Sequence, residues 1–463
     1  MRYFITPLLT FLLFFTACNE KTVSSDAVYS DAIPSSSVGE GYSEEIAPAV
    51  MPSPVMSSSR DSSAGDVYSE EIVPTVMPSP VISSSRDSMD ATMPSYDAPI
   101  PIPPKEKDPY AGNVQSGILT SADIDDNLNL THFQKYVNRT LQSISESKFP
   151  FMNTKDRVKL TIEGANGKGM NRVKVKVGNF VGYTNSQGVL YIFPTVDNIP
   201  TQTTIELNGK SQSINLASKK EFTITFNKIS TPPKTLDLMF VIDTTGSMGD
   251  EMRYLAKEFD AIVSNVEAKH PTVDIRFGLT LYRDNGDDYV VKNFKFTSNK
   301  NKMKSQLEEQ SANGGGDYPE AMDKGIEKAL EASWEAEDGV RMMFVVADAP
   351  PHDEKIKQML PIIEKARSMG IRIYPLGASG VAEKSEYIMR HLALFTQGRY
   401  LWLTDDSGVG NSHEEPKVNC YQVTRLDQLI SRVIQSELSG KRVEPNTNSI
   451  LRSVGQYDKG ICQ

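Results

Sequence analysis

From about residue 235 to residue 442, continuous apolar runs alternate with amphipathic stretches of helical period. The runs at 236–242, 274–282, 342–347, 371–376 and 399–403 predict strands, and 290–296 predicts another that returns through an acidic turn. Between them, 251–268, 302–310, 319–334, a stretch ending at 369, 385–395 and 426–438 carry apolar residues at helical spacing. Strands without a polar face are buried on both sides, so the expectation is an α/β fold: a doubly wound, mostly parallel sheet covered by helices.

Upstream the period changes to two. Val158, Leu160 and Ile162, then Val173, Val175 and Val177, then Val189, Tyr191 and Phe193, then Ile205 and Leu207, then Phe222, Ile224 and Phe226 alternate with polar residues. Gly164 to Gly167, Asn185 to Gly188 and Asn208-Gly209 supply the turns, which predicts a small β-sandwich over 151–230. Residues 113–150 read as a helical lead-in, with Ile124, Leu128, Phe133, Val137 and Leu141 at helical spacing and Ser121 placed to cap it. The acidic cluster Asp123, Asp125, Asp126 invites comparison with a calcium loop. It lacks a glycine at the sixth position and has Gln134 at the twelfth, so helix-start carboxylates facing the macrodipole explain it more simply.

Residues 18–112 show neither period. They are rich in Ser, Pro, Val and acidic residues, and a segment at 42–61 recurs at 68–87. That composition predicts a disordered, semi-extended tether, partly polyproline II. Ahead of it, Arg2 and the apolar stretch 5–15 form a leader too short to span a bilayer, and Phe15-Thr16-Ala17-Cys18 puts small residues before a cysteine. This resembles the lipobox of bacterial lipoproteins. The resemblance implies a signal peptide at 1–17 and acylation of Cys18, giving a chain lipid-anchored to a bacterial membrane, at the outer membrane, cell surface or periplasm. Several acyl chains hold stably where one would not. The remaining cysteines, Cys420 and Cys462, are an even pair in an exported chain and suit a disulfide near the 441–463 tail.

The 463 residues carry a net charge of −10, which argues against nucleic acid as a partner and suits cation binding. Candidate chemistry sits where the first long strand ends. Asp243, Thr245 and Ser247 are hard oxygen ligands at two-residue spacing in a glycine-containing turn. Two further segments belong at the same carboxyl edge of the sheet: Gly314-Gly315-Gly316-Asp317-Tyr318-Pro319-Glu320, and Asp348 with His352 after the fourth strand. In order and spacing the three resemble the von Willebrand factor A domain and its metal-ion-dependent adhesion site, over 233–440. The β-rich segment before it resembles carboxypeptidase-regulatory-like and Ig-like repeats of surface proteins.

The first resemblance implies that Thr245 and Ser247 ligate a divalent cation directly, with Asp243 and Asp348 acting mostly through water. Asp317 stands where the family usually has threonine. Oxygen ligands favour Mg²⁺, Mn²⁺ or Ca²⁺ over zinc. A third carboxylate leaves the loaded cluster negative, and a unit charge at ~4 Å and dielectric ~20 is worth up to ~4 kcal/mol before solvation offsets it. The ion is therefore expected to be held tightly and to favour a neutral or basic partner over an acidic one. Asp284, Glu320 and His352 are expected at the rim, His352 either approaching the ion or resting in its loop.

The implied function is binding of a protein or other macromolecular ligand at the cell envelope. The alternative is a scaffold in which the ion only stabilises the fold. No enzyme is expected. There is no second Asp-Thr-Gly, no phosphate loop and no nucleophile elbow, which leaves a metal-dependent hydrolase with Glu320 as base as the remaining catalytic reading.

Overall fold

A computed structural model describes residues 117–144, 152–207, 209–408 and 413–463. The leader, Cys18 and the repeats at 42–61 and 68–87 lie outside the described residues. Among the described residues, no helix is long and apolar enough to cross a membrane.

The chain opens with strand β1 (Thr120–Ile124) and helix α1 (Leu130–Ser143). Seven short strands follow: β2 (Val158–Glu163), β3 (Lys174–Val177), β4 (Phe180–Tyr183), β5 (Val189–Ile192), β6 (Gln202–Leu207), β7 (Lys210–Asn215) and β8 (Glu221–Thr225). The alternating segment begins at β9 (Thr235–Asp243) and α2 (Gly249–Lys269), then β10 (Asp274–Tyr282), β11 (Val291–Thr297), α3 (Lys300–Glu308) and α4 (Met322–Leu330). It continues through β12 (Val340–Ala347), α5 (Met359–Ser368), β13 (Ile371–Gly377), α6 (Glu383–Thr396), β14 (Tyr400–Thr404), β15 (Tyr421–Arg425), α7 (Leu426–Ser439) and β16 (Arg452–Val454).

Nine strands form the main sheet in the order β11-β10-β9-β12-β13-β14-β1-β15-β16. The five central strands β10, β9, β12, β13 and β14 run parallel. Strand β9 shows why both faces must be covered. Leu236, Leu238, Phe240 and Ile242 enter one core with α2, α3 and α7, while Met239 and Val241 enter the other with α1, α4, α5 and α6. A parallel sheet between two helical layers is the architecture expected for such a run.

Residues 113–150 depart from the helical reading. Thr120–Ile124 is a fully buried strand, antiparallel to both β14 and β15, and the helix starts only at Leu130. Ile124 fits either period, and the competing strand edges of β14 and β15 decide it. The acidic cluster differs as well. Asp126 is paired with Arg390, and Asp123 with Arg399 and Arg442, so arginines rather than a helix dipole balance it. The fourth helix is shorter than the 319–334 pattern, because Pro319 and Glu320 are drawn out of it into a bridge between Glu320 and Pro351.

The seven short strands make two sheets, β5-β2-β8 and β4-β3-β6-β7, around one apolar core containing Val158, Leu160, Val175, Val177, Ile192 and Ile205. Strand β5 is buried on both faces. Leu190 and Ile192 fill that core, whereas Val189, Tyr191 and Phe193 join the core of the large sheet. Arg367 of α5 meets Asp197 across this junction, with Nη2 donating to Asp197 Oδ2 at 3.0 Å and to the Tyr191 carbonyl at 3.1 Å. At the tail, Cys420 and Cys462 are bonded with their Cα atoms 5.3 Å apart.

Candidate metal centre

Strand β9 ends at a fully buried aspartate. Immediately beyond it the chain makes a single 3-10 turn, Gly246–Met248, into α2. That turn holds the three hard ligands together. The Thr245 N–H and hydroxyl both donate to Asp243 Oδ1, at 2.9 and 2.8 Å, and the Thr245 and Ser247 hydroxyls are 3.4 Å apart. Asp243 Oδ2 is buried with no hydrogen-bond partner. Burial, with the Asp348 charge nearby, pushes the Asp243 carboxyl up to about 7.

The glycine loop is pinned against this turn. Gly246 N–H donates to the Gly314 carbonyl at 3.1 Å, and Asn313 N–H to the Thr244 carbonyl at 3.0 Å. Arg283, at the end of β10, donates to the Thr244 carbonyl at 3.1 Å and to the Ser311 carbonyl at 3.0 Å, bracing both loops. Gly314 and Gly315 adopt φ of +84° and +75°, and a Cβ at Gly314 would lie 2.4 Å from Asp287 Oδ1. Only glycine fits there at low cost. Asp287 in turn accepts from the Gly315 and Asp284 N–H groups, both at 3.0 Å, so it is a loop anchor.

Above the turn, Ser247, Asp317, Tyr318, Glu320, Asp348, Ala349, Ser379 and Gly380 line a recess of ≈ 490 Å³. Asp317 is exposed at its edge, whereas Asp348 and Glu320 are each only 4% exposed. Asp348 Oδ1 and Glu320 Oε2 are buried without hydrogen-bond partners. Burial raises the Asp348 carboxyl, offset in part by the Ser247 hydroxyl. Burial and the charges of Asp243, Asp284 and Asp348 push Glu320 up to about 9. Glu320 is thus inside the site rather than on its rim.

His352 takes the other of its two expected places. Its Nε2 lies 2.6 Å from Asp284 Oδ1, and that carboxylate raises the imidazole against the opposing effect of burial. Asp284 and His352 are therefore a pair beside the recess. Neither lines it.

Three residues had no signal strong enough to be singled out from sequence. The Tyr318 hydroxyl accepts from Ala382 N–H at 2.8 Å and lies within 3.2 Å of the Asp348 and Gly380 carbonyls and the Ser385 hydroxyl, stapling the glycine loop to the next one. Glu251, in the first turn of α2, accepts from the Ser379 N–H at 3.1 Å and from its hydroxyl. An aromatic beside a proline in a glycine loop was the available hint for Tyr318. Glu251 and Ser379 meet only through the fold.

Among the described residues, no group of three or more His, Cys, Asp or Glu side chains is arranged as a metal cluster. The donor set at this edge is mixed, two hydroxyls with carboxylates, and so falls outside that pattern. Its chemistry suits a hard divalent ion: the oxygens are hard, and Asp243 Oδ2, Asp348 Oδ1 and Glu320 Oε2 are buried without a hydrogen-bond donor.

The sequence of residues 237–408 matches the family model described as von Willebrand factor A domain. This segment is a von Willebrand factor A domain. The A domain accounts for β9 to β14 and for every loop of the recess. The chain is similar to Alpha-protein kinase vwkA of Dictyostelium discoideum, 24% identical over 234 residues, or 48% of this chain and 37% of that protein. It is also similar to the Putative ariadne-like RING finger protein R811 of Acanthamoeba polyphaga mimivirus, 24% identical over 189 residues, or 36% of this chain and 18% of that protein. The chain thus spans about a third of the first relative and under a fifth of the second. Among solved structures, the conserved hypothetical protein BatB of Bacteroides thetaiotaomicron aligns with a TM-score of 0.32 and 15% identity, covering 44% of this chain and 99% of that one.

Proposed function

We propose that the A domain holds one divalent cation and, so loaded, binds a protein partner at the envelope of a bacterium, with the chain anchored through acylated Cys18. The observation that carries the metal is the set of buried, unpartnered carboxylate oxygens on Asp243, Asp348 and Glu320. Buried charge without a counter-charge is strongly unfavourable, and a cation beside them removes that cost. Thr245, Ser247, Asp243 and Asp348 would hold the ion, with Asp317 at the open side. The ion would supply positive charge and an open coordination position to a partner. Oxygen donors alone favour Mg²⁺, Mn²⁺ or Ca²⁺.

The residues that line the recess present binding groups and no activated nucleophile. Asp317 and the Tyr318 ring are exposed for contact, while the Tyr318 hydroxyl and Ser379 are engaged in holding loops. That arrangement supports a binding role in preference to a catalytic one.

Calorimetric titration of the full-length chain with Mg²⁺, Mn²⁺ and Ca²⁺, followed by affinity capture from an envelope extract with and without EDTA, tests the proposal. Wild type should take up one equivalent of at least one ion. At about 100 times the dissociation constant that ion should raise unfolding free energy by about 3 kcal/mol. Asp243→Ala should lose both the uptake and the captured partner, and Cys18→Ser should leave the membrane fraction. Identical catches from all arms would remove metal-dependent binding, and a Cys18→Ser chain still in the membrane would remove the anchor.

A further inference from the structure

A small cavity where α5 and α6 meet the segment leading into β2 shares no lining residue with the recess. Its volume is ≈ 20 Å³, room for about one water-sized body, so the atoms that face it share a single position. Met152, Met359, Ile363 and Ile388 are among its walls, and His391 of α6 borders it. Leu360 is the one lining residue that is not buried. No carboxylate lines the cavity.

Hydrogen bonding fixes which nitrogen of the His391 ring is open. Nδ1 lies 2.7 Å from the Tyr387 carbonyl, and a carbonyl only accepts, so Nδ1 carries the proton. Nε2 is then a lone pair, buried and without a partner. Burial lowers the imidazole to about 4, so the ring is neutral and that lone pair is available at neutral pH. A histidine whose other N–H is held by a backbone carbonyl is oriented as metal-ligating histidines are. Water suits the cavity poorly, because it needs about two to four polar partners and these walls are mostly hydrocarbon and thioether.

Charge and softness select the ion. Imidazole and thioether ligands are neutral, and Arg390, the charged neighbour of His391, is already balanced by Asp126 and Glu386. A divalent ion would bring two uncompensated charges among apolar walls, whereas a monovalent ion brings one. Polarizable thioether sulfur beside imidazole favours copper(I) over the hard ions suited to the recess. We propose that Met152, Met359 and His391 Nε2 form a three-ligand site for a soft monovalent cation, copper(I), separate from the recess and independent of its ion.

Silver(I) is the probe, since it needs no reductant and leaves the Cys420–Cys462 bond intact. The full-length chain carrying Cys18→Ser, which removes a competing thiol, is saturated with Mg²⁺ and titrated with silver nitrate by calorimetry in chloride-free buffer. Uptake by other methionines and histidines is common to every variant. One equivalent is expected whose affinity falls by about tenfold or more in Met359→Leu and in His391→Phe. Met303→Leu, at a buried position on α3, should leave it unchanged. Leucine conserves volume, so Met359→Leu decides the matter even if His391→Phe perturbs the fold. X-ray absorption of the one-equivalent complex should show sulfur and nitrogen around the silver, a signature that a purely structural histidine would not give. Zinc titrated in the same way should show no uptake that Met359→Leu weakens. No silver uptake, equal affinity in wild type and both site variants, an equal loss in Met303→Leu, or zinc behaving as silver does would each overturn the site.

Discussion

A side chain kept from water without a counter-charge changes the pH at which it takes up a proton, and His391 on α6 is a clear case. It is 3% exposed, its Nδ1 lies 2.7 Å from the Tyr387 carbonyl, and its Nε2 is buried without a partner. Burial, with Arg390 adjacent, lowers its pKa to about 4. The unfolded chain therefore binds the proton first, near the ordinary imidazole value. Stability is intact above about pH 6.5 and is lost as pH falls toward about 4, by roughly 3 kcal/mol over that window. His391→Phe keeps an aromatic among Phe133 and Tyr387, whose centroids lie 5.1 and 4.1 Å away, and removes the titration. Urea unfolding at pH 8, 6 and 4.5 should show wild type losing stability relative to the variant as pH falls. Parallel curves would refute it. The same scale shows what was legible in the candidate site. Asp243, Thr245, Ser247, Asp317 and Asp348 stand out as candidates because their spacing is local to three loops. The burial of Glu320 and the staple between Glu251 and Ser379 do not, since each depends on segments that meet only when folded.

Elements of the A domain were readable because long apolar strands and amphipathic helices carry their periods in their own residues. Short elements that complete the sheet were not. Strand β1 has five residues, and both β15 and β16 owe their conformation to neighbours rather than to a run of their own. Strand β15 begins one residue after Cys420, and the bonded Cys462 lies in the terminal hairpin, whose backbone is also held by Asn129 ahead of α1 through bonds of 2.7 and 2.8 Å. The disulfide therefore closes the edge formed by β15 and the tail. With 42 residues separating the cysteines, chain-entropy arguments give it an upper value of about 4 kcal/mol. The double substitution Cys420→Ala, Cys462→Ala should lower unfolding free energy by about 2–4 kcal/mol while leaving Mg²⁺ uptake unchanged, since neither cysteine lines the recess. A loss of Mg²⁺ affinity matching the loss of stability would show that the tail instead supports the metal loops.

At the scale of the described molecule, the two β-sheets upstream of β9 are joined to the large sheet by charge as well as by apolar packing. Arg372 of β13 and Tyr374 both reach Glu437 of α7, which also accepts from Ser186 in the small β-unit. Arg367 is the more severe case, because it and Asp197 are 4% and 2% exposed as side chains and the guanidinium lies 4.3 Å from the Phe180 ring centre. The face of β5 carrying Val189, Tyr191 and Phe193 read from sequence only as one side of an alternating strand; its burial against α5 and α6 follows from this docking. A unit joined this way is packed against the A domain through both apolar and charged contacts. Arg367→Ala leaves Asp197 charged and buried, which should cost about 3–5 kcal/mol, whereas Arg367→Met with Asp197→Asn removes both charges and should recover much of that loss. Chemical denaturation of the two variants measures the difference, and limited proteolysis between residues 226 and 235 reports whether the units have separated. A cost below about 1 kcal/mol for Arg367→Ala, with no new cleavage, would mean that the apolar face of β5 alone maintains the junction.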